Sequence, residues 1–392
     1  MKHAFRALAL GVALSVTSPL VTAADPAGTV AVDVSGMLIQ YADIVHASYD
    51  DTLQSAKVMQ KAIDAFLALP SAESQQAARK AWRDAREFYG QTEAFRFYGG
   101  PIDGENGPEP RMNSWPMDES YVDYVQGRAD SGLINNPSFV INRANVIGQN
   151  ERGGEENIAS GWHAIEFLLW GQDLSETGPG NRSYSDFVDG KMPNADRRRQ
   201  YLKVVTDLLV DDLTAVEREW KPGRKSNFRA QFEKGGMESV RKIFVGLGSL
   251  SRGELAGERM EVALASQDQE DEQSCFSDNT HRDIVNGTLG IENVWLARYR
   301  RADGSVLQGP SLRDLVAERD AAVASRTTQQ IAKSVALAQA IQPPFDREIV
   351  GGRDAPGRKR VQATVDSLTQ QSKDLVEAAA ALGITKLTLM QP

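Results

Sequence analysis

Residues 158–170 read Ile-Ala-Ser-Gly-Trp-His-Ala-Ile-Glu-Phe-Leu-Leu-Trp, an apolar stretch in which His163 and Glu166 are the ionisable residues. A helix that is apolar on all sides is buried by other elements, so this stretch predicts a fold built around a central helix. His163 and Glu166 stand three positions apart, and side chains with that spacing project from one side of a helix. A buried carboxylate needs a hydrogen-bond donor or a cation beside it. The stretch therefore predicts a candidate site as well as a fold class.

The segments around this helix carry the same helical periodicity. Apolar residues recur every three or four positions in long, alanine-rich segments at 50–69, 71–97, 195–220, 228–247, 311–341 and 361–382. Ser71 followed by Ser74, and Ser311 followed by Asp314, are typical of helix N-termini. Loops rich in turn residues separate the helices, at 99–110, 148–155, 176–193 and 267–278. Alternating strand patterns are nearly absent, so we predict an all-α protein made of helical bundles.

A faint internal repeat indicates how the helices are grouped. Two pairs of segments match in sequence, 164–169 with 290–295 and 183–188 with 311–316. A diverged duplication that divides near residues 250–275 explains this pattern, and chance similarity between amphipathic helices explains it too. The second copy has Leu289 where the first has His163. Only one of the two halves is therefore expected to hold a complete site.

The first 24 residues have the features of a secretory signal. Lys2 and Arg6 precede an apolar run, and small residues at 21–24 form a cleavage site. No cysteine lies near that site, so a lipid anchor has no attachment point there. We predict an exported, soluble, periplasmic chain in three parts: a signal peptide at 1–24, an N-terminal helical-bundle domain at 25–250 and a C-terminal helical-bundle domain at 251–392.

Charge and cysteine content disfavour several classes of function. The formal charge is −9 and becomes about −11 when the two positive charges of residues 1–24 are removed. An acidic surface argues against nucleic acid as a partner. With Cys275 as its single cysteine the chain forms no intrachain disulfide. Acidic neighbours are expected to raise the pKa of the Cys275 thiol, which makes it a poor nucleophile.

The spacing of His163 and Glu166 allows two interpretations. The pair is either a core histidine bonded to its neighbouring glutamate, or an imidazole and a carboxylate that bind iron or zinc. Metal sites in helical bundles combine such pairs, three positions apart, with single carboxylates from facing helices. Each histidine after residue 24 has a carboxylate at that spacing: Asp43 with His46, His163 with Glu166, and Asp278 with His281.

Two single carboxylates are available to complete such a site. Glu93 lies on the same predicted helix face as Arg86 and Tyr89, and Asp118 lies at a predicted helix start. The alternative for each is an ion pair, and Arg96 is the obvious partner for Glu93 because it stands three positions away. Both interpretations stay open for both residues.

The hexapeptide Gly161-Trp162-His163-Ala164-Ile165-Glu166 resembles the Gly-x-His-x-x-Glu signature of the imelysin-like family. Further segments resemble blocks of that family, and they lie at 41–44, 92–97, 115–119, 166–173 and 274–281. The resemblance therefore covers nearly the whole chain after residue 24. It implies two helical-bundle domains with a pocket between them, export from the cytoplasm, an association with iron supply and a metal-linked site.

The resemblance also implies which residues form the site. The implied metal ligands are His163 and Glu166, with Glu93, Asp118 and His281 as the further candidates. The residues implied around the metal are Arg96, Trp115, Gly161 and Asp278. Gln273 departs from the family pattern, because iron-regulated relatives are expected to have a histidine there.

Functions from different classes fit these residues. The first is a periplasmic metal-binding protein that handles iron during uptake, with zinc as the alternative metal. Its partners would be a metal ion or small chelate, and an inner-membrane iron transporter or other periplasmic iron-uptake proteins. The second is a zinc metallopeptidase with His281 as third ligand, although the chain lacks His-Glu-x-x-His because positions 164 and 167 are Ala and Phe. The third is a helical binding module without metal.

Overall fold

Helices make up nearly all the regular structure of the computed structural model, which describes residues 33–175 and 177–391. About 63% of the described residues are helical, which confirms the predicted all-α class. The predicted signal peptide at 1–24 lies outside the described residues. Within those residues eight α-helices have ten or more residues: α1 (Ser35–Ala68), α2 (Ala72–Thr92), α3 (Gly161–Trp170), α4 (Ala195–Trp220), α5 (Met237–Ser249), α6 (Thr280–Leu296), α7 (Ala321–Ala340) and α8 (Pro356–Ala381).

Shorter elements connect these helices. The short α-helices are Glu109–Met112, Glu119–Val122, Arg143–Ile147, Phe228–Phe232, Val262–Ser266, Leu312–Ala317 and Asp346–Ile349. The 3-10 helices are Glu93–Phe95, Tyr184–Phe187, Gln269–Asp271 and Cys275–Ser277. A π-helix, Leu250–Glu261, continues α5 without a break. Strands Arg298–Arg300 and Val306–Gln308 pair as an antiparallel hairpin after α6.

The predicted helix starts are confirmed by their capping hydrogen bonds. The Ser71 hydroxyl accepts from the Ser74 N–H at 3.2 Å, and the Ser74 hydroxyl accepts from the Ser71 N–H at 3.0 Å. This reciprocal pair satisfies donors that a helix N-terminus otherwise leaves free. At the second predicted start the Ser311 hydroxyl accepts from the Asp314 N–H at 3.0 Å.

Two of the predicted long helices are divided. The segment 311–341 breaks before Asp320, whose carboxylate accepts from two N–H groups and starts α7. The segment 228–247 breaks at Gly236, whose φ of 54° lies in the left-handed region. A cap and a glycine thus interrupt an apolar pattern that is otherwise continuous.

Helix α3 lies at the centre of the packing. It contacts α2 and α4, while α1 packs against the same two helices. On its other side α2 packs against α6, and α6 continues the contacts to α7. All ten residues of α3 are buried, and the apolar cluster around it extends to Phe276 in the segment before α6. The predicted buried helix is therefore confirmed.

The described chain from Val34 onward forms one unit by its internal contacts. The predicted domain division at residue 250 falls inside the continuous helical run from Met237 to Ser266, and it stays a prediction. One pair of the repeated segments, 164–169 and 290–295, lies on α-helices α3 and α6, whereas 183–188 contains a 3-10 helix where 311–316 contains an α-helix. In the described part of the chain no helix combines the length and the apolar character needed to cross a membrane.

Candidate functional site

Gly161 allows the chain to cross closely over the start of α3. Its φ is +90°, and a Cβ atom at this position would lie 2.5 Å from the carbonyl oxygen of Met112. The neighbouring Ser160 hydroxyl donates to the Arg111 carbonyl at 2.9 Å. The segment 111–112 thus approaches the backbone at Gly161 closely. This contact holds Trp115, a few residues further on, over the site.

We expect Gly161→Ala to lower the free energy of unfolding by about 2–3 kcal/mol, because it adds a clash to an unfavourable φ. Gly99 is the matched control. Its φ is +69° and a Cβ there meets nothing within 4 Å, so Gly99→Ala should lose only about 1 kcal/mol. Urea titrations followed by circular dichroism measure both values. Equal losses in the two variants would contradict the close contact.

His163 and Glu166 contact each other, as their spacing predicted. The Nδ1 atom of His163 lies 2.8 Å from Oε2 of Glu166. The other oxygen, Oε1, accepts from the Ser277 N–H at 2.9 Å and from the Ser277 hydroxyl at 2.7 Å. Both carboxyl oxygens of Glu166 are therefore engaged. The Nε2 atom of His163, in contrast, has no hydrogen-bond partner among the described residues.

Burial determines the ionisation of this pair. Loss of solvent has the largest effect on His163 and the nearby guanidinium of Arg86 the next largest, and together they lower the pKa of His163 to about 3. Loss of solvent raises the pKa of Glu166 to about 8, although the hydrogen bonds from Ser277 work in the opposite direction. At neutral pH the imidazole is thus uncharged and the carboxyl group holds a proton.

His163 opens onto a small closed chamber. The chamber lies between Trp115 and its neighbours on one side and the segment before α6 on the other. Its residues are Trp115, Pro116, Met117, His163, Glu270, Glu272, Gln273, Cys275 and Phe276. The chamber has a volume of about 10 Å³, which is room for about one water-sized atom. Larger surface grooves exist, including one of about 790 Å³ beside Asp346, but His163 does not line them.

Several polar atoms that face this chamber lack partners. Glu272 and Gln273 are 3% and 2% exposed, yet Oε1 of Glu272 and both amide atoms of Gln273 have no hydrogen-bond partner among the described residues. The prediction of site residues did not include Glu272. Its acidic position directly before the 274–281 family block was the available signal.

Glu93 lies in a separate buried ion cluster. Its carboxylate contacts Arg96 at 3.1 Å, Arg259 at a shorter distance, and the Asn113 amide at 3.2 Å. Burial opposes ionisation, but the two guanidinium groups outweigh it and lower the pKa of Glu93 to about 2. The predicted ion pair with Arg96 is present, and the π-helix adds Arg259 to it. Arg96 also contacts Glu109 at 2.9 Å.

Asp118 and His281 do not reach the chamber. The Asp118 carboxylate caps the helix Glu119–Val122 by accepting from the Ser120 N–H and hydroxyl at 2.9 and 2.6 Å. The Nδ1 atom of His281 lies 3.2 Å from the backbone oxygen of Asp278, so it does not meet the Asp278 carboxylate. Burial and the carboxylates of Asp173 and Asp346 raise the pKa of Asp278 to about 7.

The remaining histidine, His46, does not contact the carboxylate three positions away either. His46 Nε2 lies 2.8 Å from Glu217, and Asp43 instead contacts Arg229 at 2.7 Å. Among residues 33–175 and 177–391, no three His, Cys, Asp or Glu side chains converge closely enough to form a ready metal site. Of the implied ligands, the fold brings together only His163 and Glu166.

Similarity to known proteins identifies the family of this chain. A model of the imelysin family matches residues 45–375. Iron-regulated protein A of Synechococcus elongatus is 26% identical over 352 residues, which are 85% of this chain and 84% of that protein. The crystal structure of a candidate iron-regulated protein A precursor from Parabacteroides distasonis superposes with a TM-score of 0.66 at 18% identity, over 91% of this chain and 97% of that one, and it shares the fold. This chain belongs to the imelysin family.

Proposed function

We propose that this chain is an exported metal-binding protein that handles iron during uptake and binds the ion at Nε2 of His163. The observation that carries the proposal is the buried, unpartnered Nε2 atom of His163, a residue that lines a chamber with room for about one water-sized atom. A buried polar atom without a partner is unfavourable, and a bound cation is one way to satisfy it. The imidazole is uncharged at neutral pH, as a metal ligand must be.

Glu166 fixes the orientation of this imidazole. Metal-binding histidines commonly donate their second ring N–H to a carboxylate, which sets the tautomer and the ring position. Binding at Nε2 requires the ring proton on Nδ1, where the ionised Glu166 would accept it. Because Glu166 holds a proton at neutral pH in the metal-free chain, binding would release one proton.

The surroundings of the chamber suit iron better than a thiolate metal. Oxygen atoms of Glu270, Glu272 and Gln273 line it, and carboxylate and amide oxygens favour harder cations. Burial and nearby carboxylates hold the pKa of the Cys275 thiol well above its ordinary value, so no thiolate is available. Two relatives carry the name iron-regulated protein A, which supports iron as the ion.

The chamber argues against the alternative, a zinc metallopeptidase. A catalytic zinc needs an open position for water and access for the substrate. A chamber of about 10 Å³ has no room for a peptide. A peptidase also needs a general base, and the two single carboxylates considered for the site, Glu93 and Asp118, are engaged in an ion cluster and a helix cap.

The export and partner assignments rest on the sequence. The pattern at 1–24 supports removal of a signal peptide and a periplasmic location. A periplasmic iron protein would receive the ion, free or as a small chelate, and transfer it to an inner-membrane transporter or another periplasmic uptake protein. The acidic chain disfavours nucleic acid as a partner.

We expect His163→Ala to lose bound metal while its helical circular dichroism stays unchanged. The chain is purified without an affinity tag, loaded anaerobically with Fe²⁺, and analysed by plasma mass spectrometry for metal content. His46→Ala is the matched control, because His46 pairs with Glu217 away from the chamber. Wild-type protein and His46→Ala should retain the metal. Metal content in His163→Ala equal to wild type would refute the proposal.

A further inference from the structure

We infer that the segment before α6 supplies the metal's oxygen ligands, Glu272 and Gln273, and that Glu166 only positions His163. This inference rests on the proposed function and specifies its ligand set. It departs from a site in which the histidine and glutamate of the Gly-x-His-x-x-Glu motif both bind the ion. The argument follows from which buried atoms are engaged and which are not.

Glu166 has no free oxygen to offer. One oxygen lies 2.8 Å from Nδ1 of His163, and the other accepts two hydrogen bonds from Ser277. Coordination by Glu166 would break these contacts and would release the imidazole from its fixed orientation. The geometry is that of a carboxylate placed behind a metal-binding histidine.

Glu272 and Gln273, in contrast to Glu166, have polar atoms that lack hydrogen-bond partners. They line the same chamber as His163, and both are almost completely buried. Their unpartnered atoms are one carboxylate oxygen and the whole amide group. An unsatisfied buried polar group destabilises the fold. Three neighbouring side chains with unpartnered atoms around one cavity indicate a ligand that binds all of them.

These unpartnered atoms do not result from a loosely attached segment. The Ser274 N–H donates to the Thr280 hydroxyl at 3.0 Å, and the Ser274 hydroxyl donates to Asp283 at 2.5 Å. Further along, Ser277 donates twice to Glu166. Hydrogen bonds thus hold the backbone on the C-terminal side of Gln273, directly after the two residues that line the chamber.

The charge around Glu272 also favours a cation. The carboxylates of Asp346, Asp278 and Asp173 lie near enough to Glu272 to repel a negative charge there. A divalent cation beside Glu272 would offset this repulsion. One imidazole nitrogen with carboxylate and amide oxygens is a donor set suited to Fe²⁺ or Mn²⁺.

The test compares isosteric variants by metal affinity. Dissociation constants for Fe²⁺ and Co²⁺ are measured anaerobically by competition with a chelating dye. Glu272→Gln removes a ligand and should weaken binding by about 100-fold or more, whereas Glu166→Gln removes an orienting partner and should weaken it by roughly 10–100-fold. Asp271→Asn is the matched control, since it removes the same charge one residue away and does not line the chamber. It should bind as wild type does.

A second variant tests the inference by a gain in metal affinity, not by a loss. Gln273→Glu keeps the side-chain shape and adds a charge, so it should bind the ion more tightly than wild type if Gln273 is a ligand.

Electron paramagnetic resonance of the Cu²⁺-loaded protein identifies the nitrogen ligand. Splitting from one imidazole nitrogen should persist in Glu272→Gln and disappear in His163→Ala.

The outcomes separate this inference from the proposed function. If the wild type binds neither ion, both fail. If His163→Ala loses the ion while Glu272→Gln binds as Asp271→Asn does, the metal function stands and the assignment of Glu272 falls. Stronger weakening by Glu166→Gln than by Glu272→Gln would also overturn it, because Glu166 would then be the ligand.

Discussion

Replacing Arg86 with methionine is expected to lower the free energy of unfolding by about 3–5 kcal/mol, because it leaves a buried carboxylate without its cation. Arg86 joins α2 to α6 through Asp283, with Nη2 and Nε at 2.7 and 3.1 Å from Oδ1. The two side chains are 0% and 1% exposed. Arg86 also donates to Asn113 at 2.6 Å, so the variant leaves a second polar group unsatisfied.

The adjacent pair of residues provides the matched control. Arg282 and Glu87 join the same two helices, with Nη2 at 2.6 Å from Oε2, but the side chains are 38% and 36% exposed. Solvent screens such a pair, and its loss should lower stability by no more than about 1 kcal/mol. Arg282→Met and Arg86→Met therefore differ mainly in burial.

Chemical denaturation of the two single variants measures the difference, and a double variant tests its cause. Arg86→Met with Asp283→Asn removes the stranded charge and should recover a large part of the stability lost in Arg86→Met alone. The explanation is wrong if Arg86→Met loses no more than Arg282→Met. It is also wrong if the double variant is as unstable as Arg86→Met.

Local spacing was enough to predict the contacts within one helix or turn. The apolar run around His163 predicted a buried helix, and a separation of three positions predicted the contact with Glu166. The same reasoning identified the ion pair of Glu93 with Arg96 and the helix start at Asp118. In each case the partners belong to neighbouring turns, so that periodicity alone brings them together.

The long-range partners could not be predicted in this way. Ser277 reaches Glu166 across 111 positions, and Arg259 reaches Glu93 across 166. No local pattern carries this information, because tertiary packing determines which helix faces which. The acidic position of Glu272 was visible in the sequence, but only the folded chain shows that Glu272 and His163 line one chamber.

Sequence spacing predicted the wrong contacts where the backbone departs from helical geometry or where another helix supplies the partner. Asp278 and His281 stand three positions apart, but Asp278 has a φ of 55° and lies just before α6. The histidine therefore meets the backbone oxygen of Asp278 and not its carboxylate. His46 lies within α1, yet its ring pairs with Glu217 of α4, because that helix packs against α1.

The stability of the metal-free protein should depend on pH through Glu166. Burial raises its pKa from the ordinary 4.5 to about 8, so between these values the folded chain binds a proton that the unfolded chain has lost. The contribution of this proton to the free energy of unfolding is therefore fully present below about pH 4.5, and it is lost as the pH rises through about 8. A proton bound only by the folded state corresponds to a loss of about 1.4 kcal/mol for each pH unit in this window.

Glu166→Gln isolates this effect, because the amide mimics the protonated carboxyl group. Its oxygen can accept from Ser277, its NH₂ group can donate to Nδ1 of His163, and it does not ionise. The stability of the wild type relative to this variant should fall steadily from pH 5 to pH 8 and level off above it. Any contribution from the protonation of His163 is shared by both proteins and largely cancels in the difference.

Urea titrations at several pH values, with a chelator present, measure this difference. Glu73→Gln is the control, because hydrogen bonds in the first turn of α2 lower the pKa of the exposed Glu73 below its ordinary value. A lowered pKa affects stability only at acidic pH, so the wild type and Glu73→Gln should differ by a constant amount above pH 5. A difference between wild type and Glu166→Gln that is equally constant would show that Glu166 is ionised in the folded protein. The proton would then already lie on His163, and metal binding at Nε2 would release none from Glu166.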